Sequence, residues 1–144
     1  MFINRCCVFS EMPELKLCCS NVEDIWCENV KNKSKYIVGG IYSHSVCDFS
    51  SKLDNVLSKL SNQKLPCIVA GDLNIDLTKC TINKNTADYV NSLLANNFLP
   101  TVLMPTRITA NSSTLIDHIY YFSGKSKLET RSGNFLTDIS DHLP

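Results

Sequence analysis

The sequence carries no excess of charge of either sign: 14 Lys and Arg balance 14 Asp and Glu, for a formal net charge of zero. A protein that grips nucleic acid through many phosphates normally shows a basic surplus. Any such grip here is expected to be local. Lysines do cluster at Lys31, Lys33 and Lys35, and again at Lys125 and Lys127 near Arg131, although solvated loops explain both clusters as well. No apolar run approaches the roughly 18 residues that mark a membrane-spanning helix, so no membrane association is expected. The N-terminus, from Met1 to Cys7, lacks the apolar run and small-residue cleavage site of a secretory signal. No repeat and no low-complexity tract occurs. An intracellular location, nuclear or cytoplasmic, follows as the expectation.

Also missing is any C-x-x-C pair among the eight cysteines. The close pairs, Cys6-Cys7 and Cys18-Cys19, are adjacent, which suits a tetrahedral zinc site poorly. Disulfides would need an oxidising compartment that nothing else suggests. Free and mostly buried thiols are the favoured reading, with Cys67 a small core residue inside Pro66-Cys67-Ile68-Val69-Ala70.

What is present describes one globular domain over residues 1–144. Hydrophobic residues make up 44% and charged residues 19%, spread along the whole length. The first 45 residues read as strands: Cys6 to Cys19 with a break at Glu11-Met12-Pro13-Glu14, a short Ile25-Trp26-Cys27, a polar turn from Lys31 to Lys35, and Tyr36 to Tyr42. Phe49, Leu53, Val56, Leu57 and Leu60 recur at helical spacing, with Ser45 or Asp48 as the cap. A strand from Cys67 to Ala70 ends at Gly71, and a polar loop runs from Asp76 to Asn85. Thr86 is expected to cap a second helix with Tyr89, Val90, Leu93 and Leu94 on one side. Strands follow near Phe98 to Leu103 and from Thr114 to Phe122, and one more is possible between Phe135 and Pro144. Strands with helices interleaved predict mixed α/β layers.

Several residues could carry chemistry. Asp72 and Asn74 directly follow a buried strand. In an extended loop, residues two apart point the same way, so a carboxylate and an amide would meet at one spot. A plain turn explains the same residues. Asp117 lies in an apolar strand, where an ionised carboxylate costs several kcal/mol unless paired. His142 is the candidate partner, since a carboxylate that holds an imidazole fixes its tautomer. The alternative is a strand-end Asp bonded to water or backbone. Asp141, beside His142, suits metal binding. Tyr42 could donate a hydrogen bond into a cleft or be an edge aromatic. Arg107 could hold a phosphate with its planar fork or sit free in a loop.

The order of these signals is more specific than any one of them. Tyr42, then Gly71-Asp72-Leu73-Asn74, then Ile116-Asp117-His118-Ile119, then Ser140-Asp141-His142-Leu143-Pro144 resembles the endonuclease/exonuclease/phosphatase superfamily. Pro105-Thr106-Arg107-Ile108-Thr109 and Thr114 to Ile119 look like the apurinic-endonuclease-like domain of non-LTR (LINE-type) retrotransposons. The resemblance implies a four-layer α/β sandwich of two facing sheets with helices outside. It implies Mg²⁺-dependent (or Mn²⁺-dependent) hydrolysis of a phosphodiester by water. Carried over by position, Asp72 would orient or deprotonate the water and Asn74 would help hold it, the metal and the phosphate. Asp117 would orient His142, and His142 would bind the scissile phosphate oxygen. Asp141 would serve the metal region, while Tyr42 and Arg107 would contact substrate. DNA would be the substrate, and a reverse transcriptase would share the polyprotein.

The family's Asn-bearing first strand and metal-binding Glu match no segment here. Glu11, Glu14, Glu23 and Glu28 are available, but none falls in a matching pattern. The expectation is therefore a domain incomplete at its N-terminus and impaired in catalysis. Two other readings stand beside it: a phosphoinositide- or sphingomyelin-type phosphodiesterase of the same fold, and a degenerate, non-catalytic relic.

Overall fold

The computed structural model describes residues 8–31, 33–44, 50–125, 131–135 and 140–143. Cys6, Cys7, Ser45, Asp48, Phe49, Lys127, Pro144 and half of the expected last strand lie outside the described residues. The strands are β1 (Val8–Glu11), β2 (Val22–Lys31), β3 (Ser34–Ser43), β4 (Cys67–Asp72), β5 (Leu99–Pro100), β6 (Arg107–Ile108), β7 (Ser113–Thr114) and β8 (Asp117–Phe122). The helices are α1 (Ser50–Gln63) and α2 (Lys84–Ala95). Six strands form one sheet in the order β1-β2-β3-β4-β8-β5, and β6 and β7 form a separate ribbon. The expected mixed α/β architecture is present.

The sheet's two faces differ. Ile37 and Ile41 of β3, Cys67 and Val69 of β4, and Tyr120 and Phe122 of β8 share a core with both helices. From α1 that core takes Leu53, Val56, Leu57 and Leu60, the residues whose spacing predicts the helix. Each such side chain contributes about 1.5–3 kcal/mol on full burial, and a helix of this length is marginal alone. Packing on the sheet, rather than propensity, therefore holds α1. Strands β3 and β4 run parallel, and α1 is the crossover between them.

The opposite face carries Phe9, Ile25, Ile68, Leu99 and Ile119, each more than a third exposed. Their cross-strand partners put them on one side of the sheet. This sheet and its helices supply two of the four layers the resemblance implies. No second full sheet occurs among the described residues.

Several boundaries differ from expectation, each for a local reason. β2 runs from Val22 to Lys31 rather than three residues, because it pairs along its length with β3. Gly39 makes room for Trp26: a Cβ there would lie 2.3 Å from the indole Cζ3. The indole Nε1–H donates to Asp24 at 2.8 Å, and the same carboxylate accepts the Leu17 N–H at 3.1 Å, so Asp24 serves the packing of this strand. The cap of α2 is Asn83, whose side chain accepts from the Thr86 N–H at 3.2 Å; Thr86 lies inside the first turn and is buried. Leu94 faces away from the core and is 45% exposed. The expected strand from Phe98 to Leu103 shrinks to Leu99–Pro100. Five described cysteines are free. Cys27 and Cys67 are buried and burial pushes the Cys67 thiol up to about 12, but Cys18 and Cys80 are exposed, contrary to a mostly buried set.

The expected strand from Thr114 to Phe122 divides at Leu115 and Ile116. Thr114 stays in the ribbon, and β8 begins at Asp117. Between them the backbone turns to other partners. Leu73 N–H donates to Ile116 O and Leu77 N–H to Leu115 O, both at 3.0 Å. Buried Thr106 accepts the Ile116 N–H at 3.2 Å and the Asp117 N–H at 2.9 Å on its hydroxyl oxygen. Its own carbonyl accepts the Leu143 N–H at 2.6 Å. One threonine thus ties the start of β8 to the segment that holds His142.

Two substitutions test these contacts. Gly71 has φ +155°, and a Cβ there would lie 1.7 Å from Ile41 O. Gly71→Ala is expected to cost on the order of 3 kcal/mol from overpacking and strain, read as a lower urea midpoint. Thr106→Val keeps the shape but leaves two N–H groups without an acceptor, at about 1–3 kcal/mol. Thr106→Ser should recover most of that loss in the same measurement.

Candidate active site

Strand β4 ends at Asp72, and the chain reverses immediately. Asn74 takes a left-handed conformation, φ 52°, which asparagine tolerates better than most residues. Its N–H donates to Asp72 Oδ1 at 3.0 Å, and its side-chain Nδ2 donates to Ser43 O at 2.6 Å. Asp72 and Asn74 therefore meet by a turn, not by the strand alternation expected from the sequence. The tight reversal wins because Leu73 and Ile75 must both be buried while Asp72 stays at the sheet end. With Nδ2 committed to β3, Asn74 Oδ1 is the amide atom left for a ligand.

Asp117 lies directly across from Asp72 in the β4–β8 pairing. His142 Nδ1–H donates to it, at 3.0 Å to Oδ2 and 3.2 Å to Oδ1. The partner that an apolar strand demands for Asp117 is thus the expected one. This contact fixes the His142 tautomer, so Nε2 is the nitrogen left for a ligand. Asp72, Asp117 and His142 form one group, with a ligand atom from each lying within 4.8 Å of the others.

Arg107 and Asp141 sit beside this group, paired with each other. Arg107 Nε donates to Asp141 Oδ2 at 2.8 Å, and both side chains are more than two-fifths exposed. The Asp141 hydrogen bond, with its charge, raises the guanidinium pKa above its usual value. The Arg107 hydrogen bond likewise holds the Asp141 carboxyl below the usual range. Asp141 is not part of the Asp72–Asp117–His142 group, and its negative charge faces a cation of the chain's own. Arg107 also bridges His142 through the backbone, so the pair borders the site. Tyr42 is 44% exposed at the end of β3, and its ring meets His44 edge-on at 4.8 Å between centroids. His44 Nε2 pairs in turn with Glu23 at 3.1 Å. Tyr42 precedes Ser43, the residue that anchors Asn74, but it does not line the cavity described next.

A cavity of about 460 Å³ opens over this end of the sheet, with Asp72, Asp117 and His142 on its wall beside Ala70, Val102 and Ile119. Thr106, Asn134 and Ser140 also line it, and no sequence signal singled them out individually. Thr106 lies inside the Pro105-to-Thr109 motif, and Ser140 opens the Ser140-to-Pro144 motif. Carboxylate oxygens of Asp72 and Asp117, both on the cavity wall, suit a hard divalent cation such as Mg²⁺ or Mn²⁺, whereas Asn74 does not line the cavity. The neighbouring imidazole, its Nδ1–H held by a carboxylate, can donate from Nε2 to an anionic oxygen when that nitrogen also carries a proton. The donor set therefore fits a cation and a phosphate side by side.

No protein-family profile and no curated protein matches the chain. Solved structures do. The endonuclease domain of TRAS1, a telomere-specific non-LTR retrotransposon, is similar with a TM-score of 0.70 and 13% identity, over 95% of this chain and 64% of that one. An endonuclease/exonuclease/phosphatase family protein from Leptotrichia buccalis gives a TM-score of 0.59 at 15% identity, over 83% of this chain and 51% of that one. A beta toxin from Staphylococcus aureus solved with bound magnesium ions gives 0.51 at 14% identity, over 83% of this chain and 55% of that one. The chain spans less than two thirds of the length of each. It has the fold of the endonuclease/exonuclease/phosphatase proteins.

Proposed function

We propose that this chain carries the phosphate-handling half of a metal-dependent phosphodiesterase site, of the kind that nicks DNA. The observation that supports it most is the Asp117–His142 pair set against Asp72. Three side chains from distant parts of the sequence converge at one sheet end, with an imidazole nitrogen and a carboxylate left for ligands. The TRAS1 likeness and the ribbon formed by Arg107–Ile108 and Ser113–Thr114 favour DNA over a lipid headgroup.

In this reading Asp72 accepts a proton from, and orients, the water that attacks phosphorus. Asn74 Oδ1 helps hold that water. His142 Nε2 donates to a non-bridging phosphate oxygen when the ring is protonated, and the Asp117 carboxylate offsets the ring's charge. The phosphorus–oxygen bond to the leaving group breaks as the new bond forms, with no covalent enzyme intermediate. A Mg²⁺ or Mn²⁺ ion at Asp72 and Asp117 would supply Lewis acidity toward the phosphoryl oxygens, where charge accumulates. Arg107 donates to Asp141 through Nε, which leaves its Nη N–H groups for a phosphate oxygen and Asp141 Oδ1 for a cation. Tyr42 contacts substrate from the β3 end.

Only two carboxylates and a histidine stand together among the described residues, with no glutamate beside them. That favours weak metal affinity and a slow enzyme. The test is nicking of supercoiled plasmid with Mg²⁺ or Mn²⁺. EDTA should abolish nicking, and Asp72→Ala or His142→Ala should lower it by roughly 10²–10³-fold, as loss of one transition-state contact does. Cleavage of sphingomyelin or phosphoinositide instead of DNA would overturn the substrate. A folded protein with no hydrolysis and no saturable Mn²⁺ response would leave the relic reading.

A further inference from the structure

Behind the site, on the helix-covered face, lies a buried polar cluster that the mechanism above does not use. His118 follows Asp117 directly on β8 and is 2% exposed. Its Nε2 is 2.9 Å from Ile75 O and 3.2 Å from Leu115 O. Carbonyls only accept, so Nε2 carries the proton. Its Nδ1 is then an acceptor, and two phenols approach it: Tyr120 OH at 2.9 Å and Tyr89 OH at 3.2 Å. Tyr89 is on α2 and is fully buried, as is Tyr120 on β8. A neutral ring with its proton on Nε2 offers one lone pair to the phenols, which also hydrogen-bond each other, whereas the other tautomer would set a proton against the phenols and a lone pair against the carbonyls.

The two carbonyls matter because of what they flank. Ile75 follows Asn74, and Leu115 precedes Asp117 by two residues. One imidazole therefore clamps the turn that carries Asp72 and Asn74 to the strand that carries Asp117. Asp76 reinforces the same seam, its Oδ1 accepting the Leu115 N–H at 3.1 Å. We propose that His118, held as its Nε2–H tautomer by Tyr89 and Tyr120, is a positioning residue that sets the spacing between the Asp72–Asn74 turn and the Asp117–His142 pair. This rests on the phosphodiesterase reading for its catalytic consequence, but the clamp itself is a structural statement.

Nitrogen-15 NMR of the wild-type protein at neutral pH reads the tautomer directly. A protonated Nε2 with a bare Nδ1 is expected at His118; the reverse tautomer, or an imidazolium, overturns the proposal. His118→Phe keeps a ring and removes both ends of the clamp, while His118→Gln keeps a donor at the Nε2 position. Amide exchange at Leu73 and Asn74 should quicken by about tenfold or more in His118→Phe, and return close to wild type in His118→Gln. Nicking should follow the same order, with kcat falling about tenfold or more and KM nearly unchanged. Should His118→Phe fail to fold, Tyr120→Phe removes the shorter Nδ1 contact and is read in the same exchange measurement. Unchanged exchange in a folded His118→Phe overturns the clamp. If the wild type does not cleave DNA at all, the exchange and tautomer results still decide the clamp, and only the functional reading falls.

Discussion

Asp117 is a carboxylate on a strand whose neighbours are mostly apolar, and such a group is costly to bury unless something donates to it. The His142 ring does so at 3.0 Å. Much of the local architecture exists to bring that ring to that carboxylate. Thr106 holds the Asp117 backbone with its hydroxyl and the Leu143 backbone with its carbonyl, so both partners are referenced to one buried side chain. A hydrogen bond between groups so far apart in sequence survives the entropy of ordering them only if the frame is already rigid. Here the frame is tied by backbone bonds from Leu73 to Ile116 and from Leu77 to Leu115, beside those Thr106 makes.

The sheet explains where that frame comes from. One face is closed by α1 and α2 over Ile37, Val69, Tyr120 and Phe122, and this core fixes the strands. The other face keeps Ile25, Ile68, Leu99 and Ile119 more than a third exposed. The site lies at the end of β4 and β8, so it inherits precision from the closed face, and the Ile68 and Ile119 side chains of those strands lie on the open one. An exposed apolar sheet face and the short outer strands are also where association with other chains begins.

Electrostatics at the rim follow a simple balance. Asp72, Asp117 and Asp141 place three carboxylates near one another, while the Arg107 guanidinium answers Asp141 and the His142 ring N–H answers Asp117. Pairing of Arg107 with Asp141 lowers the repulsion among these groups in the absence of other ions. Because that pair is largely exposed, water and salt screen it, and it can exchange partners at little cost. The Asp117–His142 pair is less exposed, and it is further restrained by the backbone contacts around it.

Much of this was legible in the sequence, for reasons that can be stated residue by residue. The helical spacing of Leu53, Val56, Leu57 and Leu60 marks α1, because period is a local property, whereas the apolar residues on both faces of β8 predict a strand covered on both sides and the structure leaves Ile119 more than a third exposed. Asp117 announced a missing partner because an unpaired carboxylate on that strand is too costly. The ordered motifs around Tyr42, Asp72, Asp117 and His142 resemble a known superfamily, and that resemblance supplies the expected fold. What the sequence could not show was direction. Asn74 turns left-handed and reaches back to Ser43, where an extended loop had been expected. Arg107 and Asp141 had looked like separate ligands for phosphate and metal, and they bind one another. His118 had looked like one more residue of a buried strand, and it holds the site's two halves together from behind. Composition and spacing by themselves determined which residues are apolar, which face they share and which charges need partners. Only the tertiary structure decided who the partners are, because a hydrogen bond depends on angles and ångströms between segments that the chain brings together from 25 to 43 residues apart.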